Sequence, residues 1–261
     1  MQTDEIAKIV GEVLKRLETQ GVALGGAAAA PAACAGVAHA TVDSAVKTAQ
    51  RAQKAFQDLG LEKRREIIRA MRKVSVANAE RMAKMAREET GMGRAEDKVQ
   101  KNLICALKTP GPEDLQSRSF TGDKGLTLVE FAPYGVVGAV TPSTNPVATV
   151  INNSISILSA GNAVVFAPHP ASMKCSTEMM RLLCDAITAA GGPAGLITTV
   201  APASQETTKA LLAHPGVNVN MVTGGPAIVK VAMTAGKTCK TIAAGPGNPP
   251  AVVDETALFP K

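Results

Sequence analysis

Aromatic side chains are nearly missing from this chain: its 261 residues include five Phe, one Tyr and no Trp. That excludes recognition by stacked rings and leaves the core to Ala, Val, Ile, Leu and Met. No C-x-x-C pair and no grouping with the three His occurs among Cys34, Cys105, Cys175, Cys184 and Cys239. A metal cluster is therefore not expected, and an odd thiol count without a secretory signal fits a reducing cytosol. No apolar run is long enough to cross a bilayer, since the Ala-rich stretch 22–40 is broken by Gly25, Gly26, Pro31 and Gly36. Asp4, Glu5 and Glu12 rule out a basic signal region or an acid-poor transit peptide at the N-terminus. The net charge of +6 is spread along helical segments. It reads as solvated helix faces with a bias towards anionic ligands, not as a nucleic-acid footprint.

What the chain does have is alternation. Between residues 134 and 254, short β-branched runs at 136–140, 163–166, 197–200, 217–222 and 241–244 alternate with longer amphipathic segments. That is the pattern of an α/β fold with a Rossmann-like parallel sheet and crossover helices at 146–159, 172–190, 204–213 and 226–236. Nucleotides bind such sheets at the carboxyl ends of the strands. No G-x-G-x-x-G follows the first strand. In its place Thr223-Gly224-Gly225 lies between a strand and a helix, where small residues let phosphate oxygens reach backbone N–H groups. By itself this is also ordinary turn chemistry.

Upstream, residues 41–107 are helical in pattern, with Gly91 and Gly93 interrupting and Met71, Met82 and Met85 as core filler. Residues 109–123 read as a loop and 126–133 as a strand ahead of the sheet. Residues 3–18 place Ile6, Ile9, Val10, Val13, Leu14 and Leu17 on one helical face, followed by a Gly/Ala/Pro linker. Such a helix either folds back on the body or docks on a partner, and the long low-complexity linker favours docking. The expected organisation is a docking helix at 1–18, a linker at 19–40, a helical region with its lead-in strand at 41–133, a sheet core at 134–257 and a foreign-looking tail at 258–261.

Five stretches occur in order and at familiar spacing: EFAPYGVVGAVTPSTNP, INNSISILSAGNAVVFAPHP, AITAAGGP, AHPGVNVNMVTGGPAIVK and AGPGNPPAVVDETA. Together they resemble the CoA-acylating aldehyde dehydrogenases of bacterial microcompartments, the propionaldehyde and acetaldehyde dehydrogenase group. The resemblance implies NAD as cofactor, and a small aliphatic aldehyde and coenzyme A as substrates. It also implies an encapsulation role for residues 3–18 on a shell protein, and a place in the microcompartment lumen within the cytoplasm. It leaves a homo-oligomer open, and it implies neither a nucleic acid nor a membrane as partner.

Carried over position by position, the resemblance puts Thr223, Gly224 and Gly225 under the NAD pyrophosphate, with Ile228 one helical turn on. Thr141, Pro142, Ser143 and Gly245 join the cofactor site. His169 and Pro170 fall in the loop that touches the adenosine ribose, where His169 is either a polar contact or a residue held by turn geometry. Thr144 and Asn145 are the oxyanion candidates, with Asn145 the better donor type. Ala244 stands where hydrolytic members carry a water-activating Glu, which suits acyl transfer to a thiol instead. None of the five Cys falls at the family's nucleophile position, and all five are expected to be buried small hydrophobes. The chain is thus expected to be the cofactor-binding half, truncated before the catalytic cysteine and silent alone. A nucleotide-binding module without turnover and a cargo or interaction protein are the alternatives.

Overall fold

The computed structural model describes residues 36–234, 239–245, 247 and 250–258. The docking helix at 3–18, most of the linker, Cys34 and residues 259–261 lie outside them. The described chain is α/β. Six strands form one parallel sheet: β1 (Ala38–His39), β4 (Val136–Thr141), β5 (Ala163–Pro168), β6 (Ile197–Val200), β7 (Val219–Thr223) and β8 (Lys240–Ala244). Their spatial order is β1-β6-β5-β4-β7-β8, with every neighbouring pair parallel. β4, β5 and β6 are almost wholly buried, as expected for strands covered on both faces.

Four helices make the crossovers: α5 (Pro146–Ser159), α6 (Met173–Ala189), α7 (Gln205–Ala213) and α8 (Pro226–Thr234). The chain passes β4, β5, β6 in one direction and then returns to β7 and β8 on the far side of β4. Right-handed crossovers therefore put α5 and α6 on one face and α7 and α8 on the other. Helix α1 (Val42–Gln57) packs on β5 and β6 and touches α7. Helices α2 (Gly60–Ala77), α3 (Ala79–Thr90) and α4 (Ala95–Lys108) form a further layer over α5 and α6. One main core runs through these layers, with Phe56, Ile67, Met71, Met82, Ile151, Phe166 and Met179 among its fully buried side chains.

Several expectations need correcting. The helical pattern over 61–89 is two helices, because Asn78 leaves helical geometry (φ −107°, ψ 7°), its Nδ2 donates to the Val74 carbonyl, and its own carbonyl accepts from the Met82 N–H as α3 begins. Gly91 then ends α3 in the left-handed region (φ 67°), which an L side chain resists. The 19–40 linker contains β1, a strand defined by its pairing with β6. The 109–123 loop holds β2 (Arg118–Gly122), which pairs antiparallel with β3 (Gly125–Val129) in a hairpin exposed along both strands. The basic residues are not all solvated: Lys98 is only 6% exposed, and Arg64 reaches the Ser159 carbonyl. No helix of the described residues is long and apolar enough to cross a membrane.

Candidate functional site

The reversal of chain direction makes the gap between the carboxyl ends of β4 and β7 the switch point of the sheet, where a crevice opens. Strand register sets its rim. Thr141 ends β4 opposite Pro168 of β5, Val140 lies opposite Val222 of β7, and Thr223 lies opposite Ala244 of β8. Thr141, Thr223, Ala244 and Pro168 therefore finish at one level. The structure brings Thr141–Asn145 and Thr223–Gly225 to the two sides of the gap. His169 and Pro170 sit one strand further out on the β5 side, and Gly245 one strand further out beyond β7.

On the β7 side, the Gly224 N–H donates to the Ala244 carbonyl (3.2 Å), and the Gly225 carbonyl accepts from Val229 N–H as α8 begins. The two glycines face different surroundings. A Cβ on Gly224 would meet Ile228 Cγ2 at 2.6 Å, whereas one on Gly225 would meet nothing within 4 Å. Gly224 is thus dictated by packing, and Gly225 borders open space at the N-terminus of a nine-residue helix. The first-turn N–H groups there have no intrahelical acceptors and carry the positive end of the helix dipole. An anionic group fits that position.

On the β4 side, Thr141 is 1% exposed, and its Oγ1 has no hydrogen-bond partner among the described residues. A buried hydroxyl at the rim without a partner fits a ligand or water acceptor there. Pro142 and Ser143 are half-buried, and Thr144 is exposed. Asn145 is half-buried at the N-cap of α5 without capping it. His169 is exposed, and its Nδ1 accepts from the Ala171 N–H at 3.1 Å, so turn geometry accounts for one ring nitrogen.

Sequence reasoning missed two residues here. From α4, Lys98 Nζ donates to the Thr144 carbonyl (2.8 Å) and Lys101 Nζ to Asn145 Oδ1 (3.2 Å). A shallow groove beside the loop is lined by Lys98, Lys101, Asn102, Asn145 and Pro146. Burial lowers the Lys98 ammonium from its ordinary value, helped by the nearby cations Lys101 and Arg87.

Burial raises the Cys105 and Cys175 thiols, which makes both poor nucleophiles. Cys175 and Cys184 are buried, while Cys105 and Cys239 are half-buried rather than fully buried as expected. Burial, reinforced by the Glu89 carboxylate, pushes Cys175 up to about 12. Glu89 is there to cap α6, accepting from the Lys174 and Cys175 backbone N–H groups at 2.7 Å each. No cluster of metal-ligating side chains occurs among the described residues.

Comparison with known proteins gives a consistent outcome. The model of the family described as "Aldehyde dehydrogenase family" matches residues 28–259. Acetaldehyde dehydrogenase (acetylating) EutE of Salmonella typhimurium is 50% identical over 222 residues, covering 85% of this chain and 47% of that protein. A propionaldehyde dehydrogenase from the Clostridium phytofermentans fucose utilisation bacterial microcompartment superposes with a TM-score of 0.80 at 41% identity, covering 84% of this chain and 50% of that one. Rhodopseudomonas palustris propionaldehyde dehydrogenase, solved with bound CoA and an acylated cysteine, gives 0.80 at 46% identity with the same coverage. The chain spans about half the length of the curated relatives it matches.

Proposed function

The chain belongs to the aldehyde dehydrogenase family, and from that premise we propose that the rim between β4 and β7 holds NAD for a CoA-acylating aldehyde dehydrogenase. The overall reaction is aldehyde, CoA and NAD to acyl-CoA and NADH. The observation that carries the cofactor reading is the contrast between Gly224, closed by Ile228, and Gly225, open at the α8 N-terminus. In this reading Thr223, Gly224 and Gly225 receive the pyrophosphate, with Ile228 packed behind them. Thr141, Pro142, Ser143 and Gly245 line the crevice, and His169 and Pro170 border the ribose. Bound NAD supplies a hydride acceptor. Asn145, or the neighbouring Thr144, donates a hydrogen bond to the oxygen that becomes negative when a thiolate adds to the aldehyde. Ala244 offers no carboxylate to activate water, which leaves the acyl group to the CoA thiol.

The thiolate is a different matter. Cys175, raised to about 12, stays protonated at neutral pH. In this reading Cys175 is not the nucleophile, and the polypeptide alone binds nucleotide without turning over aldehyde. The named relatives support a microcompartment setting and, through it, the lumen as the location; the amphipathic face of residues 3–18 and the linker after it support that segment as the shell-docking one. The exposed hairpin, with Phe120, Leu126 and Leu128 uncovered, supports a homo-oligomer.

The test pairs two assays on the full chain. NAD raises the thermal midpoint, because a ligand that binds only the folded state stabilises it. Propionaldehyde or acetaldehyde with NAD and CoA yields no NADH. Turnover would overturn the silent-module reading, and an unmoved midpoint at saturating NAD would favour a cargo or interaction protein.

A further inference from the structure

We infer that Lys98 and Lys101 are positioning residues for the 142–145 loop, and that together they turn Asn145 into an oriented hydrogen-bond donor. This rests on the reading of that loop as the oxyanion element.

An amide side chain has one accepting and one donating end that look alike in shape. An ammonium can only donate, so the atom of Asn145 facing Lys101 Nζ at 3.2 Å must be its oxygen. The amide nitrogen is then directed elsewhere, free to donate. Asn145 does not spend that side chain on capping α5, although it occupies the N-cap position. Its backbone carbonyl does serve the helix, accepting from Thr149 N–H and Thr149 Oγ1. The backbone is therefore anchored by α5, and the side chain by α4.

Lys98 fixes the preceding residue. The Lys98 residue is buried as a whole, and its ammonium, partly buried, donates to the Thr144 carbonyl at 2.8 Å. Burying a cation with a neutral acceptor is costly, and a methionine of similar length would pack there more cheaply. None of the ion pairs found among the described residues involves Lys98, Lys101 or Arg87. Lys101 is partly offset by Asp97, whose carboxyl it helps to lower, whereas Lys98 makes no ion pair, so the net charge facing the loop is cationic. A positive field fixed in place before reaction is what a developing oxyanion needs. Thus α4 contributes to the site by holding two consecutive loop residues from one helix face, three positions apart.

The test uses the 15N-labelled full chain and the variants Lys98→Met, Lys98→Arg, Lys101→Met and Lys101→Arg. The Asn145 side-chain NH2 signals are identified by their loss in Asn145→Asp. The expected result for Lys98→Met is a thermal midpoint unchanged or raised, while backbone amide exchange at 143–145 speeds up about tenfold. A merely structural lysine would move both together. Lys101→Met shifts the Asn145 NH2 signals and speeds their exchange about threefold, with less effect because that bond is exposed. Lys101→Arg, which still donates, restores the wild-type signals. Unchanged loop exchange in Lys98→Met, or unmoved Asn145 signals in Lys101→Met, overturns the inference. NAD titration of the same samples separates the two readings. Failure of NAD to bind the wild type defeats the cofactor site alone, and failure of the loop to respond defeats the positioning role alone.

Discussion

The two walls of the crevice between β4 and β7 are built differently. On the β4 wall every layer is anchored. β4 is buried along all six residues, α5 starts directly behind the loop, and α4 reaches the loop through Lys98 and Lys101. On the β7 wall support thins outwards. Val140, Leu212, Val222 and Ala232 form a small cluster of their own, and β8 beyond it is exposed at four of its five residues. The difference teaches how one sheet can both position and admit a ligand. A rigid wall sets the geometry of the polar donors, and a lightly packed wall leaves Gly225 open to an incoming phosphate.

The contrast breaks most readily at the strands. Phe166→Ala in β5 removes a fully buried ring and should cost about 3–5 kcal/mol in denaturant unfolding. Ile242→Ala in β8, where the side chain is 46% exposed, should cost under about 1 kcal/mol. Comparable losses would mean that the two walls are equally packed. Within the β7 wall, Gly224→Ala should lower stability by about 1–3 kcal/mol, because the new methyl overlaps Ile228 Cγ2. Combining it with Ile228→Ala should recover part of that loss, a non-additivity that a double-mutant cycle reads.

A pH-dependent effect concerns the outer layer behind the β4 wall. Arg181 and then Arg81 hold the Glu178 carboxyl at about 2, against an ordinary value of 4.5. Its contribution is present above the unfolded value and is lost as pH falls from about 4.5 through about 2. Glu178→Gln should therefore cost on the order of 1 kcal/mol at pH 7, because solvent screens the cluster. At pH 2 variant and wild type should be closer, and an equal gap at both pH values would remove the ion pairs from the account.

How much of this was legible in the sequence depended on whether the determining contact was local. The five long sheet strands and four crossovers follow from β-branched runs and helical periodicity, and the structure reproduces them within a residue or two at most ends. The strand Ala38–His39 was not legible, because two residues carry no periodicity and pairing with β6 alone defines them. The strand Arg118–Gly122 was hidden by its polar composition, and pairing with the apolar Gly125–Val129 reveals it. At the site, Thr223-Gly224-Gly225 could be placed from the strand-to-helix transition. The different demands on Gly224 and Gly225 could not, since only coordinates show where Ile228 points. Lys98 and Lys101 left no signal beyond a three-residue spacing on a helix, for their acceptors lie 46 and 44 positions away.

One titration tests the central claim, that the open glycine at the α8 N-terminus admits a pyrophosphate. Gly225 is absent from the glycines with positive φ, and a Cβ there meets no atom, so Gly225→Val should still fold, losing about 1 kcal/mol or less as a poorer N-cap of α8. In equilibrium titration with NAD the wild-type chain should bind and the Gly225→Val chain should not, its branched side chain filling the space the phosphates need. Equal NAD affinity in the two chains would contradict the account.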